Sequence, residues 1–119
     1  MKIALVAIGR RENEYAREFV EHHLSVGFDK IIIADNNHDK EERFEDVLSD
    51  YIADGKVAVE DYRNQVAVQC QAYNALYKKY GKTYDWIAFF DFDEQLVLKG
   101  KRTLKDWLAG FEPETDAEI

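Results

Sequence analysis

Cysteine is nearly absent. Cys70 stands alone in 119 residues, which excludes an intramolecular disulfide. It lies in a helical pattern with no His/Asn constellation around it, so it is expected to be a packed, reduced thiol rather than a nucleophile. Long apolar runs are missing too: nothing approaches the ~20 residues needed to span a bilayer. The opening run of residues 2–8 is short, passes straight into charged residues and lacks a small-residue cleavage site. It therefore fits a first strand rather than a signal peptide, and a cytoplasmic or cytoplasm-facing domain is expected. Positive charge is scarce. Lys and Arg total 16 against 24 Asp and Glu, for a formal charge of −8. An acidic surface repels nucleic-acid backbones and anionic membranes, which excludes a general nucleic-acid binder, whereas acidic clusters suit divalent cations. Internal repeats and low-complexity segments are also missing.

What is present is enough apolar and aromatic material, 46% and 13% of the residues, for one domain with a core over residues 1–119. Residues 2–8 are continuously apolar, as in a strand buried on both faces. Ala16, Phe19, Val20, His23 and Leu24 recur at helical spacing, and Gly27 ends that helix. Residues 30–34 form a second buried strand that ends at Asp35-Asn36-Asn37. Phe44, Val47, Leu48, Tyr51 and Ile52 mark a second helix closed by Gly55. Residues 56–62 alternate as a third strand. Ala72, Tyr73, Leu76, Tyr77 and Tyr80 mark a third helix closed by Gly81. Residues 85–92 are a fourth strand, followed by a short strand near 95–98 and a short helix near 104–108. Strands alternating with helices predict an α/β fold: a mostly parallel sheet with flanking helices and right-handed crossovers. Such sheets bind ligands at the carboxyl ends of their strands. Those ends carry Gly9-Arg10-Arg11-Glu12, Asp35-Asn36-Asn37, Asp61-Tyr62-Arg63 and Asp91-Phe92-Asp93-Glu94.

Asp91 and Asp93 close the fourth strand. In an extended segment both point to one face, roughly 7 Å apart at Cα. Two hard oxygen donors at that spacing can share a Mg²⁺ or Mn²⁺ ion, with substrate phosphates supplying further ligands. The bland alternative is a pair of acids opening a surface turn. A buried strand running into them, with other polar strand ends on the same edge, favours the ligand reading.

Asp91-Phe92-Asp93 after Ile87-Ala88-Phe89-Phe90 resembles the Asp-x-Asp motif of GT-A-fold glycosyltransferases, and more closely that of family-2-like bacterial enzymes of polysaccharide and cell-surface glycan synthesis. Three blocks carry the resemblance: Arg11-Glu12-Asn13-Glu14 with Glu18-Phe19-Val20-Glu21-His22-His23-Leu24; the stretch from Gly27 through Asp35-Asn36-Asn37; and Tyr84-Asp85-Trp86 running into the acids. With the helix around Ala72-Tyr73-Asn74 they cover nearly the whole chain. The resemblance implies a Rossmann-like, nucleotide-sugar-binding half of a GT-A fold. It also implies a nucleotide-diphospho-sugar donor, a carbohydrate or other hydroxyl acceptor, and a divalent cation, Mn²⁺ or Mg²⁺. Asp93 would ligate the metal, and Asp91 the metal or its water shell and the ribose. Asp35 would face the base or ribose. The backbone at Ala7, Ile8 and Gly9 would line the base pocket, and Arg10 or Arg11 would meet the diphosphate, since guanidinium forks suit phosphate oxygens. The general base and acceptor-binding half are expected beyond Ile119, where residues 114–119 resemble the entry to another strand. At His38 the sequence departs from the small hydroxyl residues usual in that loop.

Other polar residues carry weaker expectations. Gln69 falls on the face of its helix with Ala72, Tyr73 and Leu76, near the ligand edge, and is a nucleotide-binding candidate. Asn74 borders that face. Arg63 is either a phosphate contact or a surface charge. Asp39 through Glu42 suit a solvated helix start. His23 is expected as a satisfied buried histidine and His22 as a solvated one; adjacent histidines on a helix do not face one metal. Two enzymatic or signalling rivals share features. A haloacid dehalogenase-type phosphatase also uses Asp-x-Asp after a strand, but near the start of its domain and with Thr or Val where Gln95 stands. A response-regulator receiver needs an acidic pair where this chain has Gly9-Arg10-Arg11. A non-catalytic nucleotide- or metal-binding module is the remaining alternative.

Overall fold

The computed structural model describes residues 1–66, 68–99 and 103–110. Four strands, β1 (Ile3–Gly9), β2 (Lys30–Asp35), β3 (Val57–Asp61) and β4 (Trp86–Phe89), form one sheet in the order β3-β2-β1-β4. Every pairing is parallel. The intervening helices are α1 (Asn13–Val26), α2 (Phe44–Val47), α3 (Ser49–Ala53) and α4 (Gln69–Tyr80), with α5 (Leu104–Leu108) after β4. The alternation read from the sequence therefore gives the α/β architecture it predicts.

The strands alternate between two apolar layers. Ile3, Leu5, Ala7, Ile31 and Ile33 pack with Phe19, Val20, Phe44, Leu48, Leu104 and Leu108. Ala4, Val6, Ile32 and Ala34 pack with Leu76 of α4. Helices thus cover both sheet faces, which is why β1 and β2 read as continuous apolar runs. Burying a side chain such as Phe19 or Leu76 is worth about 1.5–3 kcal/mol, so this two-sided burial outweighs any local propensity in setting the fold. The opening apolar run is β1, one of the two inner strands. Gly27 ends α1 at φ 127°, with its N–H on the carbonyls of His23 and Leu24, a conformation that favours glycine.

Several local expectations are corrected. The second helix is two short pieces, α2 and α3, broken at Leu48 (φ −114°), with Phe44 and Leu48 both buried at the break. The fourth strand stops at Phe89, whose partner is Val6, and the acids lie on the turn beyond it. Residues 95–98 are not a strand; the Leu96 peptide bonds to histidine rings instead. His22, expected in solvent, is half-buried and supplies one of those rings. Cys70 is exposed, because Ala72 and Leu76 are the residues α4 buries. The strand expected from 114–119 lies outside the described residues.

Candidate active site

The chain leaves β1 toward β2 and β3, then returns to lay β4 on the other side of β1. The strand order reverses between β1 and β4. In open parallel sheets the crevice at the carboxyl ends of such a pair is where ligands bind. The loop after β1 and the acidic turn after β4 meet there.

Gly9 makes that meeting possible. A Cβ on Gly9 would stand 2.5 Å from Cε2 of Phe92 and 3.0 Å from Cζ of Phe44. The missing side chain lets the Phe92 ring lie over the end of β1, stacked on Phe44 at 5.1 Å and tilted against Phe19 at 4.7 Å. Phe92 is thereby buried while Asp91, Asp93 and Glu94 stay exposed. The turn is closed by the Glu94 N–H on the Asp91 carbonyl (3.0 Å) and by the Asp91 N–H on Glu94 Oε1 (2.7 Å). Asp91 and Asp93 thus flank an anchored ring on a turn, rather than alternating along a strand. Burial raises the Asp91 carboxyl above its ordinary range, with the negative charges of Glu94 and Asp93 adding to the effect. Excess negative charge at a pair of hard oxygen donors suits a divalent cation. Among the described residues no group of three or more His, Cys, Asp or Glu is disposed to hold a metal ion.

On the α4 side, Gln69 begins its helix exposed to solvent, one turn before the half-buried Tyr73. Burial raises the Tyr73 hydroxyl, and the charges of Asp91 and Glu94 raise it further. Gln69, Tyr73 and the acidic turn therefore share the crevice. Asn74 points to solvent. On the α1 side, a cavity of about 360 Å³ opens beside Asp93. Phe19 and Phe92 are its buried walls, and Glu12, Tyr15, Glu18, Asp93 and Gln95 complete it.

The loops after β1 and β2 are built around buried amides. Asn37 Oδ1 accepts the Arg11 N–H at 2.7 Å, and Asn37 Nδ2 donates to Asn13 Oδ1 at 3.0 Å. Both side-chain amides also donate to the Glu42 carbonyl. Arg11 is held at φ 61°, a conformation uncommon outside glycine. Its side chain and that of Arg10 converge on Glu41: Arg11 Nε lies 2.7 Å from Oε2 and Arg10 Nε 3.2 Å from Oε1. The His38 N–H also donates to Oε1, at 2.6 Å. The His38 N–H and then Arg11 pull the Glu41 carboxyl down to about 2, with Arg10 helping. The guanidinium groups expected at a diphosphate thus hold an internal carboxylate.

Asp35, expected to face the base or ribose, accepts hydrogen bonds from its own loop. It is 2% exposed, with Oδ1 accepting the Asn37 N–H (2.9 Å) and Oδ2 the Phe44 N–H (3.2 Å). Both oxygens brace the loop. The Ala7 side chain is likewise in the core. Arg63 is neither a surface charge nor an open phosphate contact. Its side chain is 7% exposed and donates to the His38 carbonyl at 3.0 Å. Sequence reasoning missed Glu41, the Asn13–Asn37 pair and the grip of His22 and His23 on Leu96. Only Asn37, polar at the end of a buried strand, left a visible signal.

Residues 9–119 match glycosyltransferase family 92. The chain belongs to this family. No curated protein matches it at a significant level. Membership and the resemblance to family-2-like enzymes agree on glycosyl transfer, and the family itself is family 92. A family 92 glycosyltransferase passes a sugar from a donor to an acceptor. Membership sets aside the phosphatase and receiver alternatives. Among the described residues no helix is long and apolar enough to cross a membrane.

Proposed function

We propose that the β1/β4 crevice binds a nucleotide-diphospho-sugar together with Mn²⁺ or Mg²⁺, and that the sugar passes to a hydroxyl of a carbohydrate or related acceptor. Synthesis of a cell-surface polysaccharide or glycan from a cytoplasm-facing site is part of the same proposal. The observation that carries it is the acidic turn, with Asp91 and Asp93 presented at the switch point by a ring seated on Gly9.

Asp93 and Asp91 hold the cation in this reading, and the resemblance of Asp91-Phe92-Asp93 to the Asp-x-Asp motif of GT-A-fold enzymes supports those roles. When bound, the ion offsets charge developing on the departing diphosphate. The chain's own contribution is placement. Phe92 fixes the turn, Gln69 and Tyr73 wall the crevice on the α4 side, and the backbone at Ala7 and Gly9 lines it from β1. Arg10 and Arg11 stand at the same edge, ready to exchange Glu41 for a phosphate oxygen. The cavity beside Asp93 is the nearest space for a sugar ring: its carboxylates accept hydroxyl hydrogen bonds and the Tyr15 ring is open to solvent. The general base that takes the acceptor proton is assigned to no described residue.

Calorimetric titration with a panel of nucleotide-diphospho-sugars, with and without Mn²⁺, tests the proposal. An ion held by only two carboxylates binds weakly alone and tightly once phosphate oxygens join it. Donor and cation should therefore raise each other's affinity at least tenfold, and Asp93→Asn should remove that coupling. Donor binding indifferent to both Mn²⁺ and Asp93→Asn would overturn the proposal. Phosphomonoester hydrolysis abolished by Asp91→Asn would point to a phosphatase instead.

A further inference from the structure

His23 is fully buried on α1. The rings of Phe19, Phe90 and Phe28 enclose it, with centroids 4.5, 5.5 and 5.7 Å away. Both ring nitrogens are engaged. Nδ1 lies 2.8 Å from the Phe19 carbonyl, so it carries the proton and donates; Nε2 accepts the Leu96 N–H at 3.2 Å. Those partners fix the neutral Nδ1–H tautomer. Next along the helix, His22 Nε2 donates to the Leu96 carbonyl at 2.9 Å. Consecutive histidines thus hold both backbone polar groups of one residue, Leu96. Among the described residues no backbone–backbone hydrogen bond holds 95–98, so the imidazoles replace the missing strand partner. Phe90 precedes Asp91 and Leu96 follows Glu94, so His23 touches the chain on both sides of the acidic turn.

We propose that neutral His23 is a positioning residue for Asp91 and Asp93, and that its protonation releases the 91–96 segment. The consequence for glycosyl transfer rests on the metal and donor reading of those acids; the clasp itself does not. Protonation places an Nε2–H against the Leu96 N–H. Two donors then face each other in an aromatic cage with no acceptor, and a hydrogen bond becomes an unsatisfied buried pair. The surroundings oppose the charge. Burial lowers the His23 pKa below its ordinary 6.5; the Phe19 carbonyl partly offsets this, and the nearby His22 lowers it further. From the other packed elements, Phe28 and Phe90 present uncharged rings and the 95–98 segment presents the Leu96 backbone. A lowered folded pKa means that the clasp is closed above pH 6.5 and is lost as pH falls from there through the folded value.

Imidazole and amide ¹⁵N NMR on the labelled, ion-free protein tests this. At neutral pH the His23 signals should show the Nδ1–H tautomer. On acidification the Leu96, Asp91, Asp93 and Glu94 amides should shift with the His23 midpoint, below the ordinary imidazole value. An Nε2–H tautomer, or turn amides that move only with carboxylate titration, would overturn the proposal. His23→Gln gives a second reading, because its amide can donate to Phe19 and accept from Leu96. It should keep the neutral-pH positions of the turn amides and abolish the acid step; persistence of that step would also overturn the proposal. If His23→Gln does not fold, the wild-type tautomer and midpoint decide. Added Mn²⁺ should broaden the Asp91 and Asp93 amides at neutral pH and lose that effect through the His23 transition. Absence of broadening at neutral pH, with the tautomer and acid step intact, would count against the metal reading alone.

Discussion

Asn37 Oδ1 accepts the backbone N–H of Arg11 at 2.7 Å across 26 positions of sequence. That bond joins the loops after β1 and β2 and holds Arg11 in its positive-φ conformation. Asn37 is fully buried, and its amide also donates to Asn13 and to the Glu42 carbonyl. Asn37→Leu would leave the Arg11 N–H and Asn13 Oδ1 without their Asn37 partner. Each unsatisfied buried group costs about 1–3 kcal/mol, so a loss of about 2–6 kcal/mol is expected in urea denaturation. Arg11 should also move, weakening its ion pair with Glu41.

Gly9→Ala tests the seat of Phe92. The new methyl would enter the space of the Phe92 ring. Overpacking of this kind costs about 1–3 kcal/mol. The stability loss should come with shifted amide resonances at Asp91 and Asp93, because the ring is their anchor. A Gly9→Ala protein with wild-type stability and unshifted turn amides would show that Phe92 does not depend on this contact.

The fold was readable because β1 and β2 are buried on both faces, leaving continuous apolar runs, while α1 and α4 carry one-sided stripes. The acidic turn was readable because a buried strand runs into it. Its geometry was not: strand alternation put Asp91 and Asp93 on one face, whereas Phe92 leaves the sheet to pack on Phe44 and Phe19. That outcome depends on the space at Gly9, 83 positions away in sequence. The roles of Asp35 and Glu41 were hidden for a similar reason. A carboxylate at a strand end looks the same in sequence whether it faces a ligand or accepts backbone N–H groups from its own loop.

Asp91 provides a test whose sign is set by its raised carboxyl pKa. Raising an acid's pKa on folding means that ionisation costs stability, so the ion-free protein gains stability as pH falls through the folded value. Asp91→Asn should remove that cost and raise the thermal midpoint slightly at neutral pH. The gain should stay below about 1 kcal/mol, because Asp91 is exposed and solvent screens its neighbours. The same substitution should reduce any Mn²⁺-dependent donor binding. Opposite signs for stability and binding are what a functional acid, rather than a structural one, would give.

Tyr80 reports on the opposite side of the sheet. Its hydroxyl lies 2.5 Å from Glu60 Oε1, and burial, reinforced by Glu60, pushes its pKa up to about 12. The contact joins α4 to β3 and so helps hold the helix that carries Gln69 and Tyr73. A raised folded pKa gives stability that is intact below the ordinary value of 10.0 and lost as pH rises toward about 12. Ultraviolet titration should find one tyrosine ionising late, and Glu60→Gln should bring it back toward the ordinary value.

Glu41 offers the sharpest test of the phosphate role proposed for the arginines. Its carboxyl is held down to about 2 by the His38 N–H and by Arg11 and Arg10, so the interaction persists over the working pH range and disappears only as pH falls through that value. An anion competing for the guanidinium groups must displace this carboxylate. Glu41→Gln should therefore leave both arginines less occupied and tighten binding of a nucleoside diphosphate, though only modestly because exposed ion pairs are weak. Double substitution of Arg10 and Arg11 by Gln should weaken the same binding and make it insensitive to Glu41→Gln. If Glu41→Gln instead weakened binding, the carboxylate would be holding the arginines in place for the phosphate, and the loop would be preformed rather than exchanged.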